Sequence, residues 1–185
     1  MTPPSLAGRL LVATPLLEDP NFARTVVFLC FHDENGAFGL VLNRAQEARA
    51  ADAAPAWAEF VSSPAALFIG GPVQPNSVLG LARVRDEAAL EWWTPVAGDV
   101  GLVNLAVDVR EAGPAVQALR VFHGYAGWGG GQLEGEIAQD AWFVVDAEPD
   151  DPFTNNPGAL WQRVLRRQHG DIAIYGTYPA DPSVN

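Results

Sequence analysis

Three observations in the 185-residue sequence predict an α+β fold. Runs rich in β-branched and aromatic residues outnumber helical stretches, and two of them are joined as a tight hairpin. Strands and helices do not alternate as a doubly wound parallel sheet requires.

The elements follow in order. Residues 9–13 and 25–31 read as strands, with the DPNF turn at 19–22 between them. TVVFLCF, HDENGA and FGLVLN then describe an antiparallel hairpin of 25–32 and 37–42, turned at Asn35–Gly36, a pair that tolerates the positive φ of a type I′ turn. Both arms are apolar on both faces, which predicts a covered, central position. The Ala-rich stretch 45–55 reads as a variable connection, and a short helix starts at Pro55. LFIG at 67–70 is a short strand running into Gly70–Gly71–Pro72; 78–84 and 100–106 are further strands, and 111–119 holds a short helix after Pro114. RVFHGY at 120–125 is a strand entering a glycine loop, 132–140 a helix and 142–146 a strand. A helix over 157–168 is bounded by Asn156 as N-cap, Pro157 in the first turn and Gly170 as its stop; Leu160, Trp161, Val164 and Leu165 share one face. The tail from Ile172 supplies a short strand and an extended end. No repeat or linker divides the chain, so residues 1–185 are expected to form one domain.

Hydrophobic residues make up 49% of the chain, a globular composition, yet no apolar run approaches the roughly 20 residues that span a bilayer. No basic region precedes a long apolar segment, so a secretory signal is not expected and the cytoplasm is the expected compartment. The net charge of −11 repels phosphate backbones and disfavours direct nucleic-acid binding. Arg163, Arg166 and Arg167 read as a solvated helix face. All eleven basic residues are Arg, which eliminates a P-loop lysine, a kinase ATP lysine and Schiff-base chemistry. Cys30, the sole cysteine, reads as a core thiol in a strand; His32, two residues on and on the same strand face, leaves a reactive thiol as the alternative.

Classical catalytic sets are absent. His32, His123 and His169 lack metal-ligand spacing, there is no GxSxG elbow, and no metal or cofactor is expected. Asp33–Glu34 and the pair Glu134 and Glu136 read as solvated or capping groups. His123 is the best-placed general base.

The densest feature is 122–134, FHGYAGWGGGQLE, with five glycines and a predicted helix directly after it. Glycine clusters mark positive φ or close backbone approach. The HDENGA turn, Asn43–Arg44, Gly70–Gly71–Pro72 and this loop are four elements that can converge on one site. Its candidate residues are Asn43, Arg44, Gly70, Gly71, Pro72, His123, Gly124, Tyr125, Gly127, Trp128, Gln132 and Glu134. Backbone N–H groups at the helix start favour anions, Arg44 offers a fork for a carboxylate or phosphate, and Tyr125 and Trp128 can stack on a flat ligand. The competing reading is structural: the glycines serve tight turns and strand crossings, Trp128 caps the core, and Gln132 and Glu134 bond to nearby backbone.

The blocks GRLLVATPLLEDPNFARTVVFLCFHDENGAFGLVLNR at 8–44, GGPV at 70–73, HGYAGWGGGQLEGEI at 123–137 and LW…G…I at 160–172 resemble the AlgH/YqgE family of bacterial proteins. The DPSVN ending is similar to that of actinobacterial members. The resemblance implies a strongly bent, mostly antiparallel sheet forming a partial barrel flanked by helices, in a cytosolic protein. Family names refer to regulation of alginate synthesis, and some members carry a transcriptional-regulator label. Two departures stand out: the His that usually follows GGPV is absent from QPNSVLGLARV, and Asn43–Arg44 is followed by Ala45 where the family has Pro. The leading reading is a non-enzymatic regulatory protein that binds a protein partner or small ligand. The alternative is an enzyme acting on a small anionic substrate with Arg44, His123, Gln132 and Glu134 as its polar groups.

Overall fold

A computed structural model describes residues 3–86 and 90–178. Ten strands among them form one sheet with the path β10-β1-β2-β3-β9-β6-β8-β7. The strands are β1 (Leu10–Ala13), β2 (Val26–Asp33), β3 (Gly36–Val41), β4 (Ala45–Arg49), β5 (Ala66–Ile69), β6 (Val73–Val84), β7 (Trp93–Ala97), β8 (Val100–Val103), β9 (Val116–Gly129) and β10 (Trp142–Val145). Off the main path, β4 pairs β5, and β5 lies parallel to β9; every other pairing is antiparallel. The helices are short: α1 (Ala50–Ala53), α2 (Val109–Ala112), α3 (Gln132–Ala138), α4 (Leu160–Arg166) and α5 (Asp171–Tyr175). The sheet does not close, and the mostly antiparallel α+β class holds.

Strand alternation sends side chains into three apolar clusters. Leu10, Val12, Phe28, Leu40, Phe68 and Phe122 meet α4 through Leu160, Trp161, Val164 and Leu165. Leu11, Val27, Leu29, Val41, Trp128 and Trp142 face the opposite way and meet Leu133 of α3. Trp57, Leu67, Trp93, Leu119 and Val121 form the third cluster. β1 and β2 thus bury both faces, as their two-sided apolar pattern requires.

Several local expectations need correction. The hairpin turns at Glu34–Asn35, because Asp33 pairs with Gly36 and its carboxylate accepts the Asn35 N–H at 2.7 Å. Gly36 is fixed instead by φ +149° and by the Trp128 carbonyl, which a Cβ would meet at 2.3 Å. The 45–55 connection contains an edge strand and the single turn α1, and a 3-10 turn spans Pro55–Phe60. Around Pro114 the helix precedes the proline, and β9 begins at Val116. Pro157–Ala159 is a 3-10 turn leading into α4, Asn156 makes no side-chain cap, and Gly170 opens α5 rather than stopping α4. Ile172–Tyr175 is therefore helical, not extended; the rest of the expected extended tail, 179–185, lies outside the described residues.

Cys30 and His32 do not share a face. The register slips between Leu29 and Phe31, so Cys30 is the extra residue of a bulge and the parity of the strand reverses. Cys30 joins the α4 cluster, whereas His32 pairs with Ala37 and turns toward α3. Burial pushes the thiol well above its ordinary range, which leaves it protonated and unreactive.

Candidate functional site

The glycine motifs form a chain crossing. β5 and β6 pair with opposite edges of β9 over the same residues, 121–123, so the chain after β5 must pass over β9 to reach β6. It does so at Gly70–Gly71. A Cβ on Gly70 would stand 2.3 Å from the Gly124 carbonyl oxygen, and one on Gly71 would stand 2.2 Å from the Tyr125 carbonyl. Gly124 has φ +65°, and its Cβ would meet the Gly71 carbonyl at 2.5 Å. Gly70 is tied on both sides, donating to the His123 carbonyl at 2.7 Å and accepting from Val41 N–H at 2.8 Å. Backbone lies on backbone here, which only glycine allows. β9 runs through Gly124, Tyr125, Gly127 and Trp128 as far as Gly129, so this stretch is strand rather than loop.

The residues after the crossing serve packing. Trp128 is 6% exposed, stacked on Phe22 and edge-on to Trp142. Glu136 accepts the indole N–H of Trp128 at 2.9 Å and that of Trp142 at 2.8 Å on one oxygen, and the Gln132 amide at 3.3 Å on the other. Gln132 also accepts the Gly129 N–H at 3.0 Å. Glu136 is therefore not a solvated group but the polar anchor of two core tryptophans. Tyr125 is half-buried against Phe38, with ring centroids 4.7 Å apart. The first turn of α3 already carries an anion of its own, Glu134. Its carboxylate binds His32 Nε2 at 2.6 Å, and that bond, aided by backbone N–H, holds its pKa below the ordinary glutamate range.

Asn43 closes the base of the hairpin, accepting from Val26 N–H and donating to the Arg24 carbonyl, both at 2.9 Å. Arg44 is different. Only one bond ties its guanidinium among the described residues, Nη2 to the Ala23 carbonyl at 3.2 Å, and partial burial lowers its pKa despite nearby Asp19. With Asn21, Val41, Ile69, Gly71, Pro72 and Pro75 it lines a depression of about 310 Å³. Ile69 is 43% exposed. Ile69 and Val78 both pair with His123, so the three side chains form a row across β5, β9 and β6 beside the depression. Val78 is also exposed.

The twelve candidates thus separate. Arg44, Gly71 and Pro72 share the depression, with His123 at its margin. Trp128 belongs to the core under α3, and Gln132 is exposed at the start of α3, bonded to Gly129 and Glu136. Glu134 faces a second depression of about 300 Å³ with Pro3, Ser5, His32, Asp33 and Glu34. No described cavity brings Arg44, His123, Gln132 and Glu134 together.

Sequence reasoning gave no role to Arg120, which is 1% exposed. It stacks over Phe68 at 4.5 Å and donates to the carbonyls of Pro64, Ser63 and Thr154 at 3.3, 3.5 and 2.8 Å, while its Nε has no partner among the described residues. Burial pulls its pKa down to about 10. A charged residue inside an apolar strand run was the available signal. The α4 arginines are engaged rather than free: Arg167 pairs with Asp151 at 2.5 Å and Glu148 at 3.3 Å, Arg163 bonds Thr154 at 3.1 Å, and Arg166 bonds the Gly176 carbonyl at 2.9 Å.

Known proteins share this fold. The AlgH-like family pattern, DUF179, matches residues 10–173. A UPF0301 protein of Streptomyces coelicolor is 51% identical, covering 98% of this chain and 96% of its own length. A UPF0301 protein of Thermobifida fusca is 45% identical over 98% of this chain and 96% of its own. A crystal structure of a Corynebacterium diphtheriae protein superposes with a TM-score of 0.86 at 36% identity, covering 95% of this chain and 93% of that one. The solution structure of AlgH from Pseudomonas aeruginosa superposes with a TM-score of 0.71 at 28% identity, covering 97% of both chains. On sequence and fold together, the chain belongs to the AlgH-like family.

Proposed function

We propose that this protein is a non-enzymatic, cytoplasmic regulatory protein that binds a partner protein through the Arg44 depression. One observation carries the reading: a half-buried guanidinium with a single hydrogen bond among the described residues sits beside an exposed row of Ile69 and Val78 and two exposed prolines, Pro72 and Pro75. An arginine framed by apolar side chains is the composition of a binding hot spot. The fork of Arg44 suits a carboxylate or phosphate, so the partner presents an acidic group flanked by apolar residues. A small anionic ligand is the second reading, favoured by a volume near the lower end for ligand pockets.

Nucleic acid and membrane fit poorly as partners. The net charge is −11, and the arginines of α4 are engaged by Asp151, Glu148 and backbone. Among the described residues no helix is long and apolar enough to cross a membrane.

A thermal-shift screen against carboxylates, sugar phosphates, nucleotides and acidic peptides tests the reading. A ligand at 100 times its Kd stabilises by about 2.7 kcal/mol, a shift of roughly 5–10 °C. The expected result is a stabilising acidic peptide whose affinity falls about 10- to 100-fold in Arg44→Gln, the loss of one charge-assisted hydrogen bond. Turnover of any of these compounds that Arg44→Gln abolishes would replace it with the enzyme reading.

A further inference from the structure

The N-terminal segment is strapped to β2 by three hydrogen bonds, one of them to an imidazole. Ser5 Oγ–H donates to the His32 carbonyl at 3.0 Å, Leu6 N–H donates to His32 Nδ1 at 3.0 Å, and Gly8 N–H donates to the Leu29 carbonyl at 2.7 Å. Leu6 packs against the α3 cluster. The His32 side chain is 5% exposed. Because Nδ1 accepts from Leu6, the ring proton lies on Nε2, where it is donated to Glu134 at 2.6 Å. The ring is therefore neutral, and its two nitrogens join the N-terminal segment to α3.

A second proton can enter only at Nδ1, where the Leu6 N–H already points. Two donors would then face each other, so an imidazolium and the Leu6 N–H bond exclude one another. We propose that His32 is a proton-operated latch: its protonation releases residues 3–8 from β2 and opens the depression lined by Pro3, Ser5 and Glu134.

The charged groups around the ring are carboxylates. α3 presents Glu134, and also Glu136, which is held by Trp128 and Trp142. β2 and its turn present Asp33, bonded to Asn35 N–H, and Glu34. Residues 3–8, β1, β3 and residues 126–129 of β9 carry no charged side chain, and Arg9 is paired with Asp146. Among the described residues every ionisable neighbour is thus a carboxylate, and the Nε2–H bond to Glu134 survives protonation.

Nitrogen-15 NMR of the full chain between about pH 8 and 5 tests the latch. The His32 ring resonances report its proton, and Leu6 amide exchange, corrected for the intrinsic rate, reports the strap. Leu6 protection is expected to fall about tenfold or more with the same midpoint as His32, while Leu11 and Val27 stay protected. Glu134→Gln shifts both events to lower pH. His32→Asn keeps an acceptor near the Nδ1 position but cannot titrate, so Leu6 protection stays flat. The latch is overturned if Leu6 stays protected while His32 titrates, if His32 stays neutral until the whole chain unfolds, or if the His32→Asn protein still loses Leu6 protection in acid.

Discussion

Glu136 and Arg120 carry more of the structure than their sequence context suggests. Removing the Glu136 carboxylate leaves the indole N–H groups of Trp128 and Trp142 buried without an acceptor. Glu136→Ala should therefore destabilise the protein by about 2–4 kcal/mol in urea unfolding, with a shift in tryptophan emission, and Glu136→Gln should cost less because one oxygen remains. Arg120→Ala orphans three carbonyls and opens a cavity beside Phe68, an expected loss of at least about 3 kcal/mol. Arg120→Met should lose less, since it fills the space and removes a buried charge without a carboxylate partner. Calorimetric melts of both variants check this order. Neither residue was legible as an anchor. A glutamate on a short helix reads as solvated until the two tryptophans, eight and six residues away, are brought under it. An arginine in RVFHGY is equally silent about which carbonyls it reaches.

At the scale of elements, the sequence separated well where patterns were local. The hairpin of β2 and β3 was legible because its apolar runs and turn residues sit side by side, although the turn itself lies one residue earlier than Asn35–Gly36. The helix of 157–168 was legible from the apolar face of Leu160, Trp161, Val164 and Leu165, which meets the core as expected. β9 was not legible beyond Tyr125, because glycines read as loop when the strand needs them for another chain to cross over it. β7 was missed, and so was α5, whose IAIY looks like strand but packs on α4 through the Arg166–Gly176 contact. The bulge at Cys30 was also invisible, and it alone decides that His32 meets Glu134. The crossing makes its own prediction. Gly124→Ala combines φ +65° with a 2.5 Å clash against the Gly71 carbonyl, so it should destabilise by about 2–4 kcal/mol or prevent folding. Gly129→Ala, where a Cβ meets open space, should be nearly silent in the same denaturation assay.

For the whole molecule, acid stability follows from Glu134. Its folded-state pKa lies below the unfolded value, so the stabilisation is fully present above the ordinary glutamate range and is lost as pH falls through the folded value. Because this carboxylate is 43% exposed, solvent screening keeps the effect small. The Tm difference between wild type and Glu134→Gln should be measurable at pH 7 and should close as the pH falls below about 4. The candidate site divides at the same scale. Of the residues that the motifs pointed to, the glycines and Trp128 build the scaffold, and Arg44 with Pro72 is left facing outward beside Ile69. Chain separation hid this, since Val41, Arg44, Ile69 and Pro75 meet only after the chain leaving β5 crosses β9 at Gly70–Gly71.

The most direct measurement is an amide NMR map of the full chain titrated with a stabilising acidic peptide or carboxylate. Shifts confined to Asn21, Arg44, Ile69, Gly71 and Val78, and abolished by Arg44→Gln in a protein that remains folded, are the predicted result. Shifts centred on His32 and Glu134, or unchanged in Arg44→Gln, would contradict the assignment of the binding face.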